Sequence, residues 1–462
     1  MSRTERHCAS FRDPSGFIFL RDGELYRQVN QIYQEHYDHL MESGLFAKLV
    51  DRGLIVPHQE CDLPAEDPQQ DAYRVIKPEP LDFVSYPYEW SFSALKDAAL
   101  ATLRIEKIAL KHGMTLKDAS AYNIQFHLGR PILIDTLSFE KYVDGAPWIA
   151  YRQFCQHFLA PLALMAYVDV RFGQYSQVHL DGIPLDLASK LLPRKTRLNV
   201  DLMTHLHLHA RSQEKAKDTK IDAAALKERR VSETGRLGLL DSLKTAVNKL
   251  DLSQVGDWKE YYSFHNYNED AFLEKKVVVE RFLDEAKPER VFDLGANTGV
   301  FSEIASQRGI STVALDVDPT AVEIAYLHAR EQEDACLLPL RMDLTNPSPA
   351  LGWAHQERES FSSRSNCDAL FALALIHHLA IGNNVPFEEI ARYFASLSPW
   401  LLVEFVPKSD SQVMKMLASR LDIFPQYHQE GFEDAFSEYF QIRWNHPLKS
   451  SERILYAMER RE

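Results

Sequence analysis

The sequence predicts an α/β protein in which a doubly wound sheet forms the C-terminal part and a mixed α+β domain precedes it. The chain has 462 residues, more than one ordinary core accommodates. From residue 258 onwards, apolar β-type runs alternate with helical patterns, whereas residues 16–177 mix both signals in an aromatic-rich stretch. We therefore predict an N-terminal domain at 1–189, a helical connector at 190–255 and a C-terminal domain at 256–462.

Composition limits the class of protein and its partners. Apolar residues make up 45% and charged residues 26% of the chain, which is typical of a soluble globular protein. The net charge of −14 disfavours nucleic acid as a partner, although a local basic patch leaves that question open. The five cysteines lie far apart, which predicts reduced thiols and no metal site. The N-terminus has no apolar leader and the apolar stretch 158–170 is too short to span a bilayer, so we expect a cytoplasmic protein without a membrane partner.

The connector carries a local excess of positive charge. Residues 190–236 contain 12 Lys or Arg against 6 Asp or Glu. One interpretation is a solvated helical connector, and the other is a contact surface for an anionic substrate or an acidic partner. His205, His207 and His209 alternate there; on a strand they would share one face as metal ligands do, but the flanking sequence favours a helix.

A glycine-containing loop provides the strongest functional signal. Residues 291–294 form an apolar β-type run, and the chain then turns through Gly295, Ala296, Asn297 and Gly299 before a helix predicted from about Val300. Glycine tolerates positive φ and lets backbone amides approach a ligand closely. The spacing is D-x-G-x-x-x-G rather than the dinucleotide GxGxxG, and an acid at Asp293 suits a cofactor with a cationic amino-acid moiety.

With this loop, residues 256–462 resemble the class I S-adenosylmethionine-dependent methyltransferases. The resemblance implies a Rossmann-like seven-stranded sheet with S-adenosyl-L-methionine as cofactor. Asp316, at the end of the next β-type run, matches the acid that binds the ribose hydroxyls, with Asp318 as the alternative. The remaining cofactor contacts that the resemblance implies are made by Val317, Met342, Asp343, which would contact the adenine amine, and Ala374, which would lie beneath the methionine end in a fourth strand at 367–379.

Methyl transfer needs an aligned nucleophile and in some cases a base. His377 and His378 follow the predicted fourth strand directly and are candidate catalytic bases, with packing as the alternative role. Glu404, in the fifth strand, is a further candidate. In the segment before the domain, pocket candidates on a possible lid are Tyr261, Tyr262, Tyr267 and Lys275, which otherwise form an aromatic seam between domains.

The N-terminal half contains a second set of acids. Asp118 and Asn123 have the spacing D-x-x-x-x-N, and Asp135 follows. This pattern resembles the protein-kinase-like fold, which includes aminoglycoside phosphotransferases, and implies that Asp118 orients a hydroxyl while Asn123 and Asp135 hold magnesium. The chain lacks a glycine-rich phosphate loop, and Lys77 stands beside Pro78, poorly placed for ATP.

These observations leave three functional hypotheses. The first is a methyltransferase with an unidentified acceptor, preferably an oxygen or nitrogen of a small molecule or saccharide, with a protein or tRNA acceptor left open. The second is a phosphotransferase using Asp118, Asn123 and Asp135, with the C-terminal domain as a cofactor-sensing module. The third is a non-enzymatic scaffold, against which the intact loop and Asp316 argue.

Overall fold

A computed structural model describes residues 4–63, 71–209, 230–252, 269–418, 420–449 and 451–461. The chain divides into two compact units. The first comprises Met1–Trp258 with Ala350–Arg358, and the second comprises Lys259–Pro349 with Glu359–Glu462. The described parts of the expected connector, 190–209 and 230–252, fall within the first unit. The domain limits at 189 and 255 stay predictions.

The described strands of the first unit form a five-stranded antiparallel sheet in the order β1-β2-β3-β5-β4 and two smaller antiparallel pairs, β6 with β9 and β7 with β8. The strands are β1 (Thr4–Arg6), β2 (Gly16–Arg21), β3 (Glu24–Asn30), β4 (His58–Cys61), β5 (Ala72–Pro78), β6 (Met114–Leu116), β7 (Ile124–His127), β8 (Arg130–Leu133) and β9 (Phe139–Lys141). Strands β2 and β3 are joined by Asp22 and Gly23, with φ of 53° and 84°. Positive φ at both turn residues matches the twist of a two-residue hairpin.

Helices cover this unit around one long central helix. The helices are α1 (Gln34–Glu42), α2 (Leu45–Asp51), α3 (Phe92–Leu110), α4 (Tyr151–Phe154), α5 (Ala160–Tyr167), α6 (Tyr175–Val178), α7 (Leu185–Leu191), α8 (Val200–Leu202) and α9 (Glu233–Lys249). Helix α3 begins at Ser91, whose side chain accepts a hydrogen bond from the backbone N–H of Ala94. Such a cap satisfies a backbone donor that the first helical turn leaves open.

Some residues in the described part of the connector are buried, while others, such as Arg194 and Arg197, are exposed. Arg236 in α9 is 1% exposed and lies 3.4 Å from Glu106 of α3. His205 and His207 lie in a π-helical segment, Met203–Leu208, and both are buried. His205 is hydrogen-bonded to hydroxyls of Tyr151 and Ser242, and His207 to those of Ser189 and Thr196. These histidines therefore serve as hydrogen-bonded core residues.

The second unit contains, among its described residues, a seven-stranded sheet in the order β12-β11-β10-β13-β14-β16-β15. Its strands are β10 (Arg290–Leu294), β11 (Ser311–Asp316), β12 (Leu337–Arg341), β13 (Ala369–Ala372), β14 (Trp400–Phe405), β15 (Phe440–Pro447) and β16 (Ile454–Arg460). Strands β10 to β14 are parallel, whereas β16 pairs antiparallel with both β14 and β15. This order and the closing antiparallel pair confirm the predicted class I methyltransferase fold.

Helices cover the sheet, and apolar side chains from β10, β13, β14 and α10 share its core. These helices are α10 (Glu269–Ala286), α11 (Ser302–Ser306), α12 (Pro319–Glu331), α13 (Phe361–Arg364), α14 (Phe387–Leu397), α15 (Ser411–Leu417) and α16 (Gln429–Ser437). The strand order reverses between β10 and β13. In open α/β sheets, ligands bind at the carboxyl ends of the strands flanking such a reversal.

None of the helices in the described ranges is both long and apolar enough to cross a membrane.

Candidate functional site

The loop after β10 has the backbone conformation that its glycines predict. Gly295 and Gly299 have φ of 74° and 84°, and Asn297 between them has φ of 51°. The backbone N–H groups of Gly295 and Ala296 donate to the carbonyl oxygen of Leu315 at 2.8 and 2.9 Å. A Cβ on Gly295 would lie 3.0 Å from Leu375 Cδ1, so this loop packs closely against the turn after β13. The loop is therefore held in shape by its own contacts.

The helix after this loop is shorter than the sequence suggests. Helix α11 begins at Ser302 rather than Val300 and contains five residues. A single turn aligns few peptide dipoles, so its N-terminal field is weak. The side chains and amides of the loop must supply most of the attraction for a ligand.

Asp293, the last but one residue of β10, combines full burial with spare hydrogen-bonding capacity. Its side chain is 1% exposed, and its Oδ2 accepts a hydrogen bond from Ser302 Oγ at 2.6 Å. Its Oδ1 is buried without a hydrogen-bond partner among the described residues. Burial raises the pKa of Asp293 to about 6. A cationic group placed beside Oδ1 would both pair with it and lower that pKa.

Asp316, at the end of β11, is joined directly to the glycine loop. Its Oδ2 accepts from the backbone N–H of Asn297 at 2.7 Å and its Oδ1 from that of Asp318 at 2.8 Å. Each carboxylate oxygen has a further lone pair for a ligand hydroxyl. Asp318, the alternative, instead caps α12 by accepting from Thr320 N at 2.8 Å. The side chain of Val317 between them is 54% exposed.

Met342 and Asp343 follow β12 on the same edge of the sheet. The backbone N–H of Met342 donates to the carbonyl oxygen of Asp316 at 2.8 Å, which ties the two strand ends together. The Met342 side chain is 4% exposed, with Ser348 N 3.4 Å from its sulfur. Asp343 accepts two hydrogen bonds from Thr345 through Oδ1. Their adenine contacts stay predictions.

The turn after β13 differs from its sequence prediction. We expected a strand through 367–379, but β13 ends at Ala372. Ala374 lies in a turn with φ of 51°. The apolar run continues through a π-helical segment, His378–Gly382, because a buried helical turn and a buried strand have similar composition.

The two adjacent histidines have different surroundings. His377 is 2% exposed, its Nδ1 has no hydrogen-bond partner in the described part of the chain, and burial lowers its pKa to about 3. His378 is exposed, with its ring 4.2 Å from that of His377. Partial desolvation lowers the pKa of His378, and the negative charge of Asp316 opposes that shift. His378 and Asp316 are therefore close enough to interact electrostatically.

Glu404 lies in a buried ion-pair network rather than in an open position. It is fully buried, and Lys275 Nζ donates to its Oε2 at 2.5 Å. Arg453 Nη1 lies 3.6 Å from Glu404 Oε1, and Arg453 Nε donates to Asp410 at 2.8 Å. Lys275 also lies 4.6 Å from the centre of the Phe301 ring. Sequence reasoning missed Arg453 and Asp410, since no spacing relates them to β14.

Part of the predicted lid lies outside the described residues, namely Tyr261, Tyr262 and Tyr267. Lys275 is described, and its amine is directed into the buried network with Glu404.

The kinase-like residues of the first unit also come together. Asn123 Nδ2 donates to Ser138 Oγ at 3.1 Å, and Ser138 Oγ donates to Asp135 Oδ2 at 2.6 Å. Asp118 accepts hydrogen bonds from the backbone of Ser120 and from Gln153. Ser138 therefore links Asn123 to Asp135, and burial together with the charge of Asp135 raises the pKa of Asp118.

Asp135 is nevertheless neutralised within the chain. Arg27 Nη1, from β3, lies 2.5 Å from Asp135 Oδ1, and the backbone of Leu137 donates to the same oxygen at 3.0 Å. Burial acts to raise the pKa of Asp135, but Arg27 and the hydrogen bonds outweigh it and leave that pKa below its ordinary value. Lys77 forms an exposed ion pair with Glu24 instead. Among the described residues, no group of three or more His, Cys, Asp or Glu is arranged to hold a metal ion.

Comparison with known proteins gives one relative over the whole chain. Nodulation protein NoeA of Rhizobium meliloti (strain 1021) is 35% identical over 465 residues, covering 100% of this chain and 97% of the relative. No protein-family model matches.

Solved structures resemble part of the chain. Magnesium protoporphyrin IX methyltransferase (ChlM) from Synechocystis PCC 6803, solved with bound SAH, is 21% identical over 44% of this chain and 92% of its own, with a TM-score of 0.30. N-methyltransferase NodS from Bradyrhizobium japonicum WM9 is 11% identical over 42% and 97%, with a TM-score of 0.31. The bifunctional kinase-methyltransferase WbdD is 14% identical over 42% and 40%, with a TM-score of 0.28.

The fold assignment rests on the strand order of the second unit, because TM-scores near 0.3 are too low to support it. The class I methyltransferase fold of the second unit implies S-adenosylmethionine as cofactor. Because NoeA matches over the full length of both chains, this chain belongs to the family of nodulation protein NoeA.

Proposed function

We propose that this protein transfers a methyl group from S-adenosylmethionine to an oxygen or nitrogen of a small molecule or saccharide. The observation that carries the proposal is the 2.7 Å hydrogen bond from the backbone of Asn297 to Asp316. It joins the glycine loop and the acid at the tip of β11, the two elements that would grip the cofactor, at one edge of the sheet. Asp293 lies at the base of the same loop.

The residues at this edge fit the cofactor chemically. The buried Oδ1 of Asp293 offers an acceptor for the ammonium of the methionine moiety. Asp316 retains acceptor capacity for two ribose hydroxyls, and such charge-assisted bonds are each worth roughly 1.5–3 kcal/mol. We assign the adenine contacts to Met342 and Asp343. We assign the loop 295–299 and Ala374 to the same cofactor site.

When bound, S-adenosylmethionine supplies an electrophilic methyl group on a sulfonium. The chain must align the acceptor in line with that methyl group, exclude water and, for a hydroxyl or ammonium acceptor, remove a proton. His378 suits the last task, since its ring is exposed and its lowered pKa keeps the imidazole neutral at pH 7. The buried His377, with a pKa near 3, packs beneath it.

Glu404 is better suited to position the site than to act as a base. Its carboxylate lies between the cations of Lys275 and Arg453, at 2.5 and 3.6 Å. Removing either cation would leave a buried charge uncompensated, which is strongly destabilising. We therefore propose that Glu404 anchors α10 to the sheet behind Asp293.

The acceptor class rests on charge. A net charge of −14 disfavours bulk nucleic acid, so a small molecule or saccharide remains the preferred acceptor. The phosphotransferase alternative gains no support, because Arg27 occupies the oxygen of Asp135 that a magnesium ion would need.

Isothermal titration calorimetry with S-adenosylmethionine and its demethylated product tests the cofactor site. Asp316→Ala is expected to lower the affinity for both by about tenfold or more, from the loss of charge-assisted hydrogen bonds. Asp434→Ala removes an exposed acid of the same unit and serves as the control. Unchanged affinity in Asp316→Ala would show that the pocket is assigned wrongly.

The acceptor is sought with methyl-labelled cofactor. The protein is incubated with cell extract, and the labelled product is identified by mass spectrometry. With that acceptor, His378→Gln is expected to lower kcat by about 100-fold while leaving cofactor affinity unchanged. Equal kcat values for His378→Gln and the parent protein would remove His378 from the mechanism.

A further inference from the structure

A cavity of about 570 Å³ opens on the first unit, between α3, α9 and the turn after α2. Its floor is apolar and includes Leu54, Ala101 and Leu240, all of which are buried. Basic side chains surround it: Arg52, Arg104, Lys107, Lys111, Arg130 and Lys244. Two acids, Asp97 and Asp241, also line it. The volume lies within the roughly 300–1,000 Å³ typical of small-molecule sites.

The basic residues of α3 are arranged on one face. Arg104, Lys107 and Lys111 are spaced by three and four residues, so their side chains lie along one stripe of the helix. Like charges at this spacing repel each other and weaken a helix slightly. Lys107 pairs with Asp241 at 2.9 Å, which offsets only part of that repulsion. The stripe therefore costs the unliganded protein stability.

Four of the cations have no acidic partner in the described part of the chain. Within the described ranges, the side chains of Arg52, Arg104, Lys111 and Lys244 form no ion pair or hydrogen bond. The chain as a whole carries a net charge of −14, so acids are abundant elsewhere. Cations concentrated around a concave apolar surface produce a positive potential that attracts anions.

We infer that this cavity binds an organic phosphate whose body is apolar. Guanidinium groups match phosphate oxygens in paired hydrogen bonds, and lysines supply additional charge. The apolar floor would cover the body of the ligand. Inorganic phosphate has no such body and could not make this contact. The cavity volume fits a small molecule, and all residues that line the cavity belong to the first unit.

Binding of 1-naphthyl phosphate to the full-length protein, followed by calorimetry, tests this inference. Inorganic phosphate has no apolar body and 1-naphthol has no phosphate group. Each is therefore expected to bind more weakly than 1-naphthyl phosphate. The double variant Arg104→Gln/Lys244→Gln is expected to weaken binding at least about tenfold through the loss of charge-assisted contacts. The matched control Arg194→Gln/Arg197→Gln removes the same charge from exposed positions outside the cavity and is expected to bind normally.

Equal weakening in both double variants, or no binding of 1-naphthyl phosphate, would overturn the inference. Binding of phosphatidic acid vesicles or of single-stranded RNA without 1-naphthyl phosphate binding would also overturn it, in favour of a macromolecular partner. Vesicle binding that 1-naphthyl phosphate displaces would support it and identify the source as a lipid headgroup. Should Arg104→Gln/Lys244→Gln fail to fold by circular dichroism, Arg52→Gln/Lys111→Gln carries the same prediction, since both residues are exposed.

Discussion

The acid clusters of the two units differ in how much of their hydrogen-bonding capacity the protein itself uses. In the first unit, Asp135 accepts from Leu137, Ser138 and Arg27 and is neutralised. In the second, Asp293 accepts from Ser302 alone and keeps a buried oxygen without a partner among the described residues. Both clusters match family motifs in sequence. Asp293 therefore keeps an oxygen for a ligand, whereas both oxygens of Asp135 are engaged by groups of the protein.

The largest expected effect comes from Asp135→Asn. It removes the charge that faces Arg27, whose side chain is 11% exposed, and leaves that guanidinium with only the more distant carboxylate of Asp13, 3.9 Å away. We expect the free energy of unfolding to fall by about 3 kcal/mol, as when one partner of a buried ion pair is removed. Urea denaturation measures the loss, and S-adenosylmethionine affinity should not change. Asp51→Asn, which breaks an exposed pair with Lys48, is the control; equal stability of both variants would contradict the neutralised-cluster interpretation.

The same substitution at Asp293 is expected to act in the opposite direction on stability. A pKa of about 6, against an ordinary value of 3.8, means that burying the ionised carboxylate costs about 3 kcal/mol at pH 7. Asp293→Asn should therefore raise the free energy of unfolding while lowering cofactor affinity by about tenfold or more. Denaturation and calorimetry on one preparation measure both. If Asp293→Asn lost both stability and affinity, the Asp293 carboxylate would support the fold rather than bind the cofactor.

Gly295→Ala should have a smaller effect, a loss of cofactor affinity accompanied by some loss of stability from the strained backbone. The φ of 74° and the 3.0 Å approach of Leu375 Cδ1 strain any side chain there. We expect about 1–3 kcal/mol of lost cofactor affinity, the scale of strain at a positive φ. Gly309→Ala is a matched control, because its φ is 76° but no atom lies within 4 Å of the added Cβ. Cofactor binding that weakens equally in both variants would indicate general strain instead.

The smallest effect is a pH dependence. Cofactor affinity should fall below pH about 6, by up to about 1.4 kcal/mol per pH unit, as Asp293 becomes protonated. Since its folded-state pKa lies above the ordinary value of 3.8, the contribution of this residue to stability has the opposite trend. That contribution is complete below pH 3.8 and is lost as the pH rises through about 6. Calorimetry across pH 5–8 should show a slope in the parent protein and none from this group in Asp293→Asn.

The sequence predicted the parallel part of the second unit well because its site is built from consecutive strand ends. Asp293 is the last but one residue of β10 and Asp316 is the last residue of β11, and parallel neighbours bring their carboxyl ends to one edge. The strand predicted through Ala374 was wrong, because an apolar run alone does not distinguish a strand from a buried helical turn.

Partners distant in sequence escaped prediction in both units. Arg27 contacts Asp135 from strand β3. Arg453 directly precedes β16 and lies near Glu404 of the antiparallel neighbour β14. Neither pair has a spacing that sequence patterns encode. Only the packed fold brings such charges together, so whether an acid is satisfied could not be inferred from its motif.

The contacts proposed at the strand edge have one consequence for turnover. Asp293, Asp316 and Asp343 would meet the amino acid, sugar and base of the cofactor, and those parts are identical in the demethylated product. No described acid among them distinguishes a sulfonium from a thioether. The product should therefore compete with the substrate for the enzyme, and the rate in the cell would follow the ratio of the two rather than the amount of either alone.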